Sequence, residues 1–165
     1  MIFLFYTILE VYTIFKEVSF DLSFLLCEYI FIENKKGRLA SVMGILKDNN
    51  IDIRAMTIAD TTDFGILRLI VNKPDEAEKA LKEAGLVVSI NKVIAVGIPD
   101  KPGGIAETLA AIADKSVGVE YMYEYVARNS DNAYFVMRVA DNEKAVAALT
   151  EKGLELLAED AVLEK

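Results

Sequence analysis

The chain has 165 residues, 53% hydrophobic and 27% charged, a composition that suits a folded globular protein and excludes a disordered one. Eighteen basic against 26 acidic residues leave a net charge of −8, which speaks against a nucleic-acid backbone as partner. Histidine is absent and Cys27 is the single cysteine, which excludes His-dependent acid–base and nucleophile chemistry, internal disulfides and CxxC sites.

Residues 1–27 are strongly apolar, beginning Met1-Ile2-Phe3-Leu4-Phe5. Glu10, Lys16, Glu17 and Asp21 interrupt the run before the roughly 20 apolar residues that a membrane span needs. No basic residues flank its start as in a signal peptide. The segment reads as an N-terminal extension, with a membrane anchor as the alternative.

A β-rich run at 29–33 leads into a polar turn containing Gly37. Leu39, Val42, Met43 and Leu46, at spacings of three and four, predict a helix that Asp48-Asn49-Asn50 ends. Strands at 51–59 and 66–71, joined by a polar turn, predict a hairpin. A second helix opens at Pro74 and stops at Gly85, and a strand at 86–90 closes the unit. The series then recurs: strand 93–98, a turn with Gly103, a helix carrying Ile105, Leu109 and Ile112, and strands 119–127 and 133–139. A helix from Asp141 to Gly153 and a strand at 154–157 complete it.

The recurrence is visible residue by residue. At an offset of about 66, Asn34-Lys35-Lys36-Gly37-Arg38-Leu39-Ala40 falls on Asp100-Lys101-Pro102-Gly103-Gly104-Ile105-Ala106. Ile51-Asp52-Ile53-Arg54-Ala55-Met56 falls on Val117-Gly118-Val119-Glu120-Tyr121-Met122. After two inserted residues, Pro74-Asp75-Glu76-Ala77 falls on Asn142-Glu143-Lys144-Ala145. The order is βαββαβ twice. One apolar stripe per helix predicts an α+β fold of two ferredoxin-like repeats, each an antiparallel four-stranded sheet with its helices on one face. The expected divisions are 1–27, 28–91 and 92–160, with Asn91-Lys92 between the last strand of copy one and the first of copy two. Units of about 65 residues bury little core alone, so the copies are expected to pair with each other or with another chain.

The turn opening each first helix is the candidate site. Lys36-Gly37 and Pro102-Gly103-Gly104 let backbone come close to a ligand, and the free N–H groups of a helix start attract a carboxylate or phosphate. Asn34 and Asp100 suit an ammonium or amide, and Asp52 offers a second polar contact. The same residues equally suit a plain strand-to-helix turn, with Asn34 and Asp100 as caps. Tyr121, Tyr123 and Tyr125 share one strand face, either lining a pocket for an apolar side chain or packing an interface. Their counterparts Ala55, Thr57 and Ala59 are small. Glu107, Glu120, Glu124 and Asp131 have no spacing that fixes a coordination geometry and read as acidic surface.

Residues 33–40, taken with Asn50-Ile51-Asp52-Ile53, resemble the ACT domain family of amino-acid-binding regulatory domains, whose turn typically reads Lys-Pro-Gly. Copy two carries the fuller form, Asp100-Lys101-Pro102-Gly103-Gly104, and residues 58–71 resemble a narrower group of stand-alone tandem ACT proteins. The resemblance spans roughly residues 28–160. It implies side-by-side sheets, a homo-oligomer (a dimer), and amino acids held at domain interfaces. By position it points to Asn34, Gly37, Arg38, Leu39 and Asp52, and to Asp100, Gly103, Gly104 and Ile105; Pro102 of the turn and Tyr121 and Tyr123 of the shared strand face complete the candidate set.

Two departures stand out: Lys36 replaces the usual Pro, and Gly118 replaces the polar residue that Asp52 supplies. The implied function is a non-catalytic amino-acid sensor in the cytoplasm, without metal or cofactor. The alternative is a regulatory subunit acting in trans on a biosynthetic enzyme such as acetolactate synthase. An acylphosphatase-like hydrolase on the same fold needs an anion-loop Arg, which Arg38 supplies and Gly104 does not. An RNA-binding sheet fits the tyrosines but not the charge.

Overall fold

The computed structural model describes residues 24–60, 63–125 and 132–163. The expectations for residues 1–23, and for the hairpin tips at 61–62 and 126–131, lie outside the described residues. Those described form β1 (Leu25–Glu33), α1 (Arg38–Asp48), β2 (Ile53–Asp60), β3 (Phe64–Val71), α2 (Pro74–Glu83) and β4 (Val87–Pro99). There follow α3 (Gly104–Asp114), β5 (Val119–Tyr125), β6 (Asn132–Val139), α4 (Asn142–Glu151), β7 (Glu155–Leu157) and α5 (Glu159–Leu163).

Strand alternation sets the layers. Ile30 and Ile32 of β1 join Val42, Leu46, Leu67, Leu69 and Leu81 in a core beneath α1 and α2. Ile94, Val96, Ile98, Ile112, Met137 and Leu149 do the same beneath α3 and α4. Each such side chain contributes about 1.5–3 kcal/mol on burial. Pro74 occupies the first turn of α2, and Asp141 caps α4 by accepting from the Lys144 N–H at 3.1 Å.

All strand pairs are antiparallel, in the order β2-β3-β1-β4-β6-β5, with β7 also beside β4. The junction of the copies differs from the sequence expectation. No break occurs at Asn91-Lys92, and β4 is one strand of 13 residues. Its first half pairs with β1, and its second half with β6 and β7. The polar pair stays in the ladder because Lys92 and Asn91 face Leu26 and Cys27 of β1. That same pairing starts β1 at Leu25, three residues inside the stretch read as an extension, where Leu25 and Cys27 are fully buried.

Sharing a strand also changes the side-by-side arrangement that the resemblance implied. The sheets join through β4, and their open faces meet in a cluster of Leu25, Cys27, Ala55 and Ile70 with Val93, Ala95, Val136 and Val162. Tyr121, Tyr123 and Tyr125 pack against this cluster, which includes the small Ala55 of β2. The Tyr123 hydroxyl lies 3.6 Å from Cys27 Sγ, and the Arg68 guanidinium lies 4.1 Å from the Tyr121 ring centre. Helix α5, which the sequence reading did not anticipate, closes one side: Val162 is fully buried and Arg54 donates to the Leu163 carbonyl. No described helix is long and apolar enough to cross a membrane.

Candidate functional site

In each copy the strand-to-helix turn ends on a left-handed glycine, Gly37 at φ +84° and Gly103 at φ +93°. That conformation costs a residue with a Cβ about 1–2 kcal/mol, which is why glycine stands there. Neither α1 nor α3 is capped by a side chain, so Asn34 and Asp100 are not caps; both are exposed. The Arg38 and Gly104 amides donate to the turn carbonyls of Lys35 and Lys101, at 3.1 and 3.0 Å. The next amides, of Leu39 and Ala40 and of Ile105 and Ala106, are the orphan donors at the positive end of each helix.

A cavity lies beside each mouth. The one at α1, about 300 Å³, is lined by Phe31, Ile32, Glu33, Arg38, Phe64, Gly85, Leu86 and Val87. The one at α3, about 320 Å³, is lined by Pro99, Gly104, Glu107, Thr108, Ala110, Lys152 and Leu154. They overlap at three aligned positions, Glu33 with Pro99, Arg38 with Gly104 and Leu86 with Leu154; the first then extends over Phe31, Phe64 and Val87, the second along α3. A third cavity, about 400 Å³, lies between the C-terminal parts of α3 and α4 and shares Lys152 with the cavity at α3.

The two mouths differ in chemistry. The first turn of α1 contains no acidic residue, and Arg38 Nε is buried without a hydrogen-bond partner among the described residues. Glu33 is ion-paired to Lys35 at 2.9 Å, and the Lys35 hydrogen bond holds its carboxyl below the usual range. At α3, Gly104 replaces Arg38, and the first turn holds Glu107, whose Oε1 stands 4.0 Å from where a Cβ on Gly103 would be. An acidic side chain near a helix start stabilises it by about 0.3–1 kcal/mol, so the α3 mouth already has an anion of its own. The first turn of α1 has none, and the nearby Glu33 is already neutralised by Lys35.

The remaining expected site residues are distributed elsewhere. Asp52 lies beyond the opposite end of α1 from Gly37, where its N–H donates to Asn72 Oδ1 at 2.8 Å and its carboxylate faces Arg54 at 3.2 Å. Leu39 is half-buried against the copy-one core, and Ile105 is exposed. Pro102 is exposed in its turn. Tyr121 and Tyr123 sit in the inter-copy cluster, where burial pushes both hydroxyls and the Cys27 thiol up, so all three are neutral packing groups. Among the described residues, no group of three or more Cys, Asp or Glu side chains is placed to hold a metal.

Sequence reasoning passed over the apolar walls Phe31, Phe64 and Val87. The signal was present in β1, where Phe31 stands between the inward Ile30 and Ile32 and therefore faces away from the helices.

The family described as an ACT domain pair matches over residues 24–165. Among solved structures, protein BT0572 from Bacteroides thetaiotaomicron is 38% identical over 87% of this chain and 98% of its own, with a TM-score of 0.79. The ligand-free regulatory subunit of aspartate kinase from Thermus thermophilus is 21% identical over 81% of this chain and 93% of its own, with a TM-score of 0.58. The corresponding subunit from Thermus flavus is 16% identical over 78% and 92%, at 0.57. These last two share the fold. No curated protein matches the chain.

Proposed function

The chain belongs to the ACT domain family, as an ACT domain pair, and on that premise we propose that it is a non-catalytic regulatory module that binds a free amino acid at the mouth of α1. The observation that carries this reading is the pairing of an uncapped, acid-free helix start with Arg38 and an apolar cavity. The ligand carboxylate accepts from the Leu39 and Ala40 amides and from the Arg38 guanidinium. Glu33 receives its ammonium, and Phe31, Phe64 and Val87 receive its side chain. The class selected is therefore an amino acid with an apolar side chain, and a cavity of about 300 Å³ suits a ligand of that size.

The α3 mouth, with Asp100, Pro102, Gly103 and Ile105, is the weaker site, because Glu107 opposes a second carboxylate there. A partner enzyme of amino-acid biosynthesis fits this reading, as for the aspartate-kinase regulatory subunits of the same fold.

A thermal-shift screen of the twenty amino acids tests the proposal. One or a few apolar amino acids are expected to raise the melting temperature, with about 2.7 kcal/mol of stabilisation at 100 times Kd. Arg38→Met is expected to abolish that shift while leaving the ligand-free melt nearly unchanged. No shift with any amino acid, or a shift that survives Arg38→Met, contradicts the proposal.

A further inference from the structure

One row of the copy-one open face runs Ser89–Tyr29–Arg68–Thr57 by cross-strand pairing, which places all four side chains on the same face. Arg68 lies between two rings. Its guanidinium carbon is 5.1 Å from the centre of Tyr29 and 4.1 Å from that of Tyr121, which copy two supplies. The cover that copy two lays on this face ends here, since Val87 and Phe31 of the next row are 69% and 48% exposed.

The Arg68 guanidinium has no counter-ion. Arg54 and Arg138 each meet a carboxylate, Asp52 at 3.2 Å and Glu120 at 3.0 Å. Among the described residues Arg68 meets none, although the chain carries 26 acidic residues, and its Nε is buried without a hydrogen-bond partner. Burial of Nε leaves the Nη1–Nη2 edge as the fork that faces outward, and the two rings hold its plane.

The repeat supplies an internal control. By the offsets that align the copies, Ser89, Tyr29, Arg68 and Thr57 correspond to Leu157, Ala95, Val136 and Tyr123, which pair in the same register. In copy two this row belongs to the inter-copy apolar cluster, and Val136 is fully buried. The fold therefore needs no cation at this position. Packing does not favour one either, because the gain from the cation–π contacts is offset by the cost of burying Nε unbonded.

We infer that Arg68, held between Tyr29 of copy one and Tyr121 of copy two, anchors a second ligand site that takes the oxyanion group of a small solute. A planar fork of two N–H donors matches a carboxylate or a phosphate. Thr57, directly opposite Arg68, adds a hydroxyl on the same face. Rings that hold the guanidinium before the ligand arrives reduce the ordering that binding costs. One ring comes from each copy, so an occupied site ties the seam between them. The site shares no lining residue with the α1 cavity and stands whether or not an amino acid binds there.

NMR titration of the full chain, labelled in its tyrosine rings and arginine side chains, tests the site with sodium acetate and, separately, sodium phosphate, ionic strength being held with sodium chloride. The Tyr121 ring and Arg68 Nε–H signals are expected to shift and saturate together with at least one of the two anions. The anion that saturates at the lower concentration tells a carboxylate ligand from a phosphate. Arg68→Lys keeps a charge beside the rings but loses the fork; it is expected to weaken the Tyr121 response about tenfold, as the loss of one charge-assisted hydrogen bond does, with the melting temperature nearly unchanged. Arg38→Met is expected to leave the response intact. Shifts that stay linear with both anions, that keep their strength in Arg68→Lys, or that vanish in Arg38→Met overturn the inference. Saturation at Arg68 without any amino-acid thermal shift leaves this site standing and the binding proposal refuted.

Discussion

Replacing Glu28 with glutamine is expected to stabilise the protein by up to about 4 kcal/mol at pH 8 and by less than about 1 kcal/mol at pH 5, a difference set by its proton linkage. Glu28 is fully buried on the helix-covered face of β1, between Leu69 and Ile90, and neither carboxyl oxygen has a hydrogen-bond partner among the described residues. Burial pushes its pKa up to about 8, and the Glu78 carboxylate on α2 pushes in the same direction.

An acid whose folded pKa lies above its unfolded value holds its proton more tightly when folded. Its contribution is complete below the unfolded pKa, near 4.5, and is lost as pH rises through about 8. Between those limits the wild type should lose stability at up to about 1.4 kcal/mol per pH unit. The chain has no histidine to blur that window. Urea unfolding from pH 5 to 8.5 reads the slope, and Glu28→Gln should flatten it. Glu28→Leu should be more stable still, since the corresponding residue of copy two is the buried Ile94. An equal slope in wild type and Glu28→Gln would show that the carboxyl is solvated.

Gly104→Ala is expected to cost about 2–3 kcal/mol, the upper part of the range for overpacking a close contact. A Cβ at Gly104 would lie 2.3 Å from the Pro99 carbonyl oxygen, a backbone atom that cannot rotate away. The start of α3 must then lift from β4. Gly103→Ala is the comparison, because its Cβ meets nothing nearer than Glu107 Oε1 at 4.0 Å. Its cost is the left-handed strain alone, about 1 kcal/mol. A chemical-denaturation ranking with Gly103→Ala the more damaging would refute the close approach. The contrast explains why the helix starts are not interchangeable: position 38 accommodates a guanidinium where position 104 accommodates only hydrogen.

The elements were legible because each helix buries one stripe and each strand one face, which writes periods of three to four and of two into the chain. Leu39, Val42, Met43 and Leu46 identify α1 in this way, and Pro74 and Asp141 identify the starts of α2 and α4. The two left-handed glycines were legible as a repeated motif, as was the place of the candidate site. The continuity of β4 was not, because Asn91-Lys92 has the composition of a turn and only its pairing with Leu26 and Cys27 keeps it extended.

Nor was the role of the tyrosines legible, since Tyr121 and Tyr123 suit a pocket and an interface equally well until the faces meet. Asp52 was placed with Gly37 by motif, yet the length of α1 separates them. Phe31 and Val87 read as ordinary strand residues, and their exposure follows only from where the cover by copy two ends.

Backbone amide NMR of a uniformly labelled sample, titrated with the amino acid that most raises the melting temperature, tests the binding site most directly. The Leu39 and Ala40 amides are expected to shift downfield and saturate together, as new donors to a carboxylate, while Ile105 and Ala106 stay in place. Saturating shifts centred on Ile105 and Ala106, or on the tyrosine cluster, with Leu39 and Ala40 unmoved, would contradict the assignment of the α1 mouth.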